Sequence, residues 1–143
     1  MFVPRDITAI LITLKIGREQ SLFIRLTSAG QIDRLGTGSE DDPDGVLCRG
    51  QVEPSIFAEL CQQVSTKLFA WCGKSHTEPQ PRGKRCELLI GFQTANGEEH
   101  LAAWEYGSKS FTPPEEVYDF VAGAVRLTDP WWEAERNTSQ EET

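Results

Sequence analysis

Histidine is scarce in this chain, C-x-x-C pairs are lacking, and no apolar run is long enough to cross a bilayer. The 143 residues include two histidines, His76 and His100, and four scattered cysteines, Cys48, Cys61, Cys72 and Cys86. A zinc site would have to be assembled from unrelated elements, so no metal is expected. The thiols read as buried and inert. The apolar run "ITAILITL", Ile7 to Leu14, falls well short of the ~20 residues of a spanning helix and carries threonines in strand rhythm. Arg5 and Asp6 before it make a poor signal-peptide start, so a cytoplasmic location is expected, without membrane contact. Basic charge is also short: 14 Lys and Arg against 22 Asp and Glu leave a net charge of -8. General affinity for nucleic acid needs a concentrated basic field and is excluded on that ground. The one basic cluster, "RGKR" from Arg82 to Arg85, reads as a solvated loop, with an anion or partner contact as the sharper alternative.

The catalytic and nucleotide motifs are incomplete. Gly73-Lys74-Ser75 has the end of a phosphate loop, but Leu68 stands where its first glycine belongs. The triplet also follows a helix, whereas nucleotide loops open one. Cys72 and His76 could form a thiol and base, yet Cys72 lies at the helix end that disfavours a thiolate. "SEDDPDG", Ser39 to Gly45, lacks the alternating ligands and closing glutamate of a calcium loop. No catalytic residue and no cofactor is expected.

What remains is a legible pattern of elements. Residues 1–136 read as one domain and 137–143 as a frayed polar tail. Alternation predicts strands at Ile7–Ile16, Ser21–Thr27 and Gln31–Leu35, a meander. A loop, Gly36 to Gly45, follows. A helix is predicted from Pro54 to Cys72, with Phe57, Leu60, Cys61, Val64, Leu68, Trp71 and Cys72 on its buried stripe and Gly73 as its stop. Next come two strands joined at Asn96-Gly97, read as a two-residue hairpin turn. That register sets Phe92 opposite Leu101 and Leu89 opposite Trp104. Leu88, Ile90, Phe92, Leu101 and Ala103 then share one face; Leu89, Gly91, Ala102, Trp104 and Tyr106 share the other. A last helix is announced by Thr112 as cap, Pro113 and Glu115. Asp129-Pro130 should end it.

The fold class is therefore α+β: an antiparallel sheet of about five strands, in the order βββ-α-ββ-α, with two packed helices. Both sheet faces look apolar. Either a helix covers each face, or both helices cover one and the other meets a partner, another protein or a second copy in a homodimer. Trp131 and Trp132 raise the same question, since each indole offers roughly 150–250 Å² that either seals the core or meets a partner. The functional expectation is a non-catalytic binding or regulatory module, with Leu89, Trp104, Tyr106, Trp131 and Trp132 as contact residues and the acidic loop at 40–44 as a rim. The strand–helix–hairpin–helix order is similar to that of small emfourin-type inhibitors of metallopeptidases. That likeness implies a proteinaceous inhibitor or antagonist as the first alternative. The second is a small-ligand protein or enzyme with a pocket near His100, using Glu98, His100 and Glu105 as acid–base groups.

Overall fold

A computed structural model describes residues 6–38, 46–110 and 113–141, with side chains as far as 137. The acidic loop at 40–44 and the expected cap, Thr112, lie outside the described residues. The class is α+β. Among the described residues seven strands form one sheet and three helices pack on it. The strands are β1 (Ile7–Ile16), β2 (Glu19–Thr27), β3 (Gln31–Leu35), β4 (Leu47–Gln51), β5 (Ser75–Thr77), β6 (Arg85–Thr94) and β7 (Glu99–Gly107). The helices are α1 (Pro54–Gln62), α2 (Thr66–Phe69) and α3 (Glu115–Glu141). In space the strands run β4-β3-β2-β1-β6-β7-β5, so β1 is the middle strand. The short edge strand β5 pairs in parallel with β7.

The meander forms as the alternation predicts. Ile10 faces Leu26, and Ile12 faces Ile24, across β1 and β2. On the other side of β1, Ile12 faces Ile90 of β6. These side chains point the same way and are buried with Phe57, Leu60, Val64 and Leu68 of the α1–α2 segment and Val117, Phe120 and Ala124 of α3. All three helices thus lie on one face.

Two strands and one helix boundary escape the sequence pattern. β4, "LCRGQ", has no apolar alternation and is mostly exposed; it is held by its ladder to β3 and by Trp131. A Cβ on Gly50 would come within 2.7 Å of Trp131 Cζ2, so only glycine leaves the indole its place. β5 is three residues long and reads as loop. The predicted helix Pro54–Cys72 is two helices. Val64 and Ser65 break it, and the Ser65 hydroxyl accepts from the Leu68 amide at 3.0 Å to start α2. The buried stripe survives the break, because a single turn resets the helix without moving Leu68 off the core.

The hairpin register is also corrected. Phe92 faces His100, Ile90 faces Ala102, and Leu88 faces Trp104. The loop holds three residues, Ala95 to Gly97, closed by Gly97 N–H to Thr94 O (2.9 Å) and Thr94 N–H to Glu98 O (2.9 Å). Gly97 has φ +83°, the left-handed residue that such loops require. One residue of slip inverts every side chain beyond the turn. Trp104 and Tyr106 go into the core; Leu101 and Ala103 go to the other face.

Pro130 does not end α3, which continues to Glu141. A proline inside a helix costs about 3 kcal/mol. Burying one indole contributes on the order of 4–6 kcal/mol at ~25 cal/mol per Å². Trp132 is 3% exposed and sits just past the proline, while Pro130 itself faces outward. In the turn before Pro130, Arg34 donates to the Val125 carbonyl at 3.2 Å and Thr128 donates to the Ala124 carbonyl at 2.8 Å.

Arg34 anchors that end of the helix. It is fully buried on the core side of β3. Nη1 lies 2.6 Å from Asp129 Oδ1 and 3.0 Å from Thr128 Oγ1, and the guanidinium lies 4.2 Å from the Trp132 ring centre. Burial lowers its pKa, with Asp129 opposing the shift. It keeps its charge, as arginines do in proteins.

A second clasp joins α2 to α3. The Trp71 indole donates to Glu116 Oε1 at 2.8 Å, and Lys67 stands 3.8 Å from Oε2. The Trp71 bond, with Lys67 behind it, holds the Glu116 carboxyl below its ordinary value. A depressed acid stabilises the fold above its unfolded pKa of ~4.3 and loses that contribution as pH falls through the folded value. The Trp71 emission, taken as the difference between the native protein and Trp71→Phe, should therefore titrate with a midpoint below ~4.3. Glu116→Gln should abolish the transition. A midpoint at or above that of a free glutamate contradicts the clasp.

Candidate functional site: the open sheet face

The face away from the helices is covered by no element among the described residues, and its middle is apolar. Register puts Leu47, Leu35, Phe23, Thr13, Leu89 and Ala103 in one row across β4 to β7. The next row carries Arg49, Asp33, Arg25, Leu11, Gly91 and Leu101. On the far side of the apolar row, Lys15 faces Glu87, and Glu87 faces Glu105. An oily band is thus bordered by charge. Leu47 and Leu101 are 40% and 42% exposed, far outside the range of core leucines.

Gly91 gives the band a dent. The Leu101 side chain leans over it, 2.6 Å from where a Cβ would stand, and a depression of about 110 Å³ opens beside them, walled by Arg25, Gln93 and Glu99. Pockets for small ligands run to ~300–1,000 Å³. This one has room for the end of a single protruding side chain. The bordering charges pair locally: Asp33 with Arg49 at 3.3 Å, Arg85 with Glu105 at 2.8 Å and Glu87 at 3.4 Å. Each pair has an exposed arginine open to solvent, so none adds more than about 1 kcal/mol to stability.

The residues expected at the contact surface separate. Leu89 is on the open face. Trp104 is 2% exposed, stacked on His76 at 6.1 Å and edge-on to Trp71 at 6.2 Å. Tyr106 is 7% exposed, and burial raises its phenol pKa well above the ordinary value, with Tyr118 contributing. Trp132 is enclosed between Arg34 and Arg136, whose guanidinium lies 4.4 Å from its ring centre. Trp131 is half-buried over Gly50. These four rings belong to the helical side, so presenting them to a partner would require opening the core.

The acid–base group near His100 is also divided. His100 and Glu98 approach to 3.7 Å at the hairpin tip, and the imidazole packs on Phe69 at 5.1 Å. Glu105 lies on the opposite face, bound by Arg85. His100 does not line the depression at Gly91. The thiol reading of Cys72 meets a further obstacle, because burial pushes Cys61 and Cys72 up to about 11. Among the described residues no three His, Cys, Asp or Glu side chains gather closely enough to hold a metal ion. No helix among them is long and apolar enough to cross a membrane.

Several residues of the open face were not singled out by the sequence. Phe23 alternates against Leu22 and Ile24, so its outward direction was readable, but its alignment with Leu35 and Leu89 needs the strand order. The two-residue turn put Leu101 and Ala103 on the face of Leu88, Ile90 and Phe92. No family model, no curated protein and no solved structure matches the chain.

Proposed function

We propose that this chain is a non-catalytic protein-binding module that docks its partner on the open face of the sheet, centred on Phe23, Leu89 and Leu101. One observation carries the reading: a row of half-buried apolar side chains, interrupted by Thr13, crosses the sheet on the side where no described helix lies. Contiguous exposed apolar surface edged by polar groups marks interaction sites in monomeric proteins. The reading also covers an inhibitor or antagonist, since both act by docking. A catalytic role would need a nucleophile, base and orienting group in reach of one another, and Glu98, His100 and Glu105 divide between two faces.

Photo-cross-linking in the source cell tests it. Benzoylphenylalanine at Phe23 or Leu101 should give defined adducts, and the same probe at Arg126, exposed on α3, should give none. Leu89→Glu on the same chain should reduce the adducts several-fold, because it sets a charge in the middle of the band. Equal labelling from both faces, or adducts that ignore Leu89→Glu, overturns the proposal.

A further inference from the structure

We infer that the occupant of the open face is a second copy of this chain, packed face to face about a twofold axis that runs along β1. The inference rests on the docking reading above and adds the partner to it.

β1 is the middle strand of seven. An axis lying in the interface parallel to β1 lays the β2–β3–β4 half of one copy over the β6–β7–β5 half of the other. Those halves are opposite in charge. On the first, two arginines, Arg25 and Arg49, stand against Asp33. On the second, three glutamates, Glu87, Glu99 and Glu105, stand against Arg85. Face-to-face packing about this axis therefore sets net positive over net negative twice.

The contact can be followed to single residues. Arg25, Leu11 and Gly91 are neighbours in one row, with Leu11 on the axis. Arg25 of one copy then falls beside Gly91 of the partner subunit, where the Leu101 side chain lies across the glycine and the depression next to it has Glu99 on its wall. Arg25 and Glu99 are both exposed and carry no ion pair among the described residues. By symmetry the contact forms twice. Phe23 and Leu35 meet the apolar positions at Leu89 and Ala103 in the same way.

Size allows a contact at the small end of the range. Seven strands at ~4.8 Å spacing span roughly 29 Å, and three rows spaced ~7 Å apart span about 14 Å. The projected area, roughly 400 Å², is about half of the ~800 Å² of accessible surface that a standard stable interface takes from each partner. Two sheets packed ~10 Å apart leave room for one layer of side chains from each.

Sedimentation equilibrium tests it on the whole protein. The native chain should be a dimer. Arg25→Glu and Glu99→Arg should each weaken the dimer about 10-fold or more, with unchanged circular dichroism, as close interfacial charge pairs couple by ~1.5 kcal/mol or above. Mixing the two variants in equal amounts should restore native affinity as a heterodimer, because every contact in the mixed pair again joins opposite charges. A mere folding defect in either variant gives no such recovery. A native chain that stays monomeric at high micromolar concentration, or variants that do not recover on mixing, overturns the inference. If that happens while Phe23 and Leu101 still cross-link to another protein, the second copy falls and the docking surface stands. If the cross-links fail as well, both fall.

Discussion

Alanine at Asp129 is expected to lower the unfolding free energy by about 2–3 kcal/mol. Removing one partner of a buried ion pair typically costs ~3–5 kcal/mol, because a charge is left enclosed without compensation. The lower figure applies here because Asp129 is 38% exposed, so water can reach the vacated site and screen Arg34 in part. Arg34 itself is fully buried and cannot turn outward without pulling β3 away from α3. Urea unfolding should show a shifted midpoint with an unchanged slope. The double substitution Arg34→Met with Asp129→Leu should recover most of the loss, since well-packed apolar pairs often equal or exceed the ion pairs that they replace. A cost under about 0.5 kcal/mol for Asp129→Ala, the scale of an ordinary surface change, would mean that Arg34 is hydrated in solution.

Alanine at Trp132 should cost more, about 3–5 kcal/mol, as large-to-small changes at enclosed aromatic positions do. The indole at 3% exposure fills the space under the end of α3 and lies against both Arg34 and Arg136. Its loss should not add to that of Asp129→Ala. Both changes act on Arg34, so the double variant should be less destabilised than the separate effects predict. Trp131→Ala should be milder, about 1–2 kcal/mol, because that ring is only half-buried. It has a signature of its own: Gly50→Ala, harmful beside the native indole through the 2.7 Å approach, should become tolerated once Trp131 is alanine. Chemical denaturation of these single and double variants checks the whole set.

The adjacent tryptophans show how far sequence reading reaches. That at least one would seal the core follows from the area of an indole, and Trp132 does so. That the helix would run through Pro130 to place it there was hidden. The penalty of proline is local and visible in the sequence, while the burial that offsets it depends on where β3 carries Arg34. The same division holds in the sheet. The meander over β1, β2 and β3 was legible because each strand alternates on its own. β4 has no alternation and exists through its neighbours. Asn96-Gly97 marked the hairpin correctly, yet Asn-Gly serves two-residue and three-residue loops alike, and the choice between them decides which side Trp104 occupies. The surplus of apolar side chains over what one helical layer can cover was readable from β1 and β6 alone. Its location at Phe23, Leu89 and Leu101 was not, since it depends on strand order and on that single residue of slip.

The place of β1 in the middle of the sheet bears on how the chain is born. A ribosome delivers β1 before the other strands, and β2, then β3 and β4, can add on one side of it at once. The other edge waits for β6, since Ile12 must meet Ile90. At ~5–20 residues per second, that interval lasts roughly 4–16 s. Throughout it the nascent half-sheet presents an unpaired, apolar strand, the kind of edge that invites pairing with the wrong chain. A pause in synthesis between β4 and β6 lengthens that exposure.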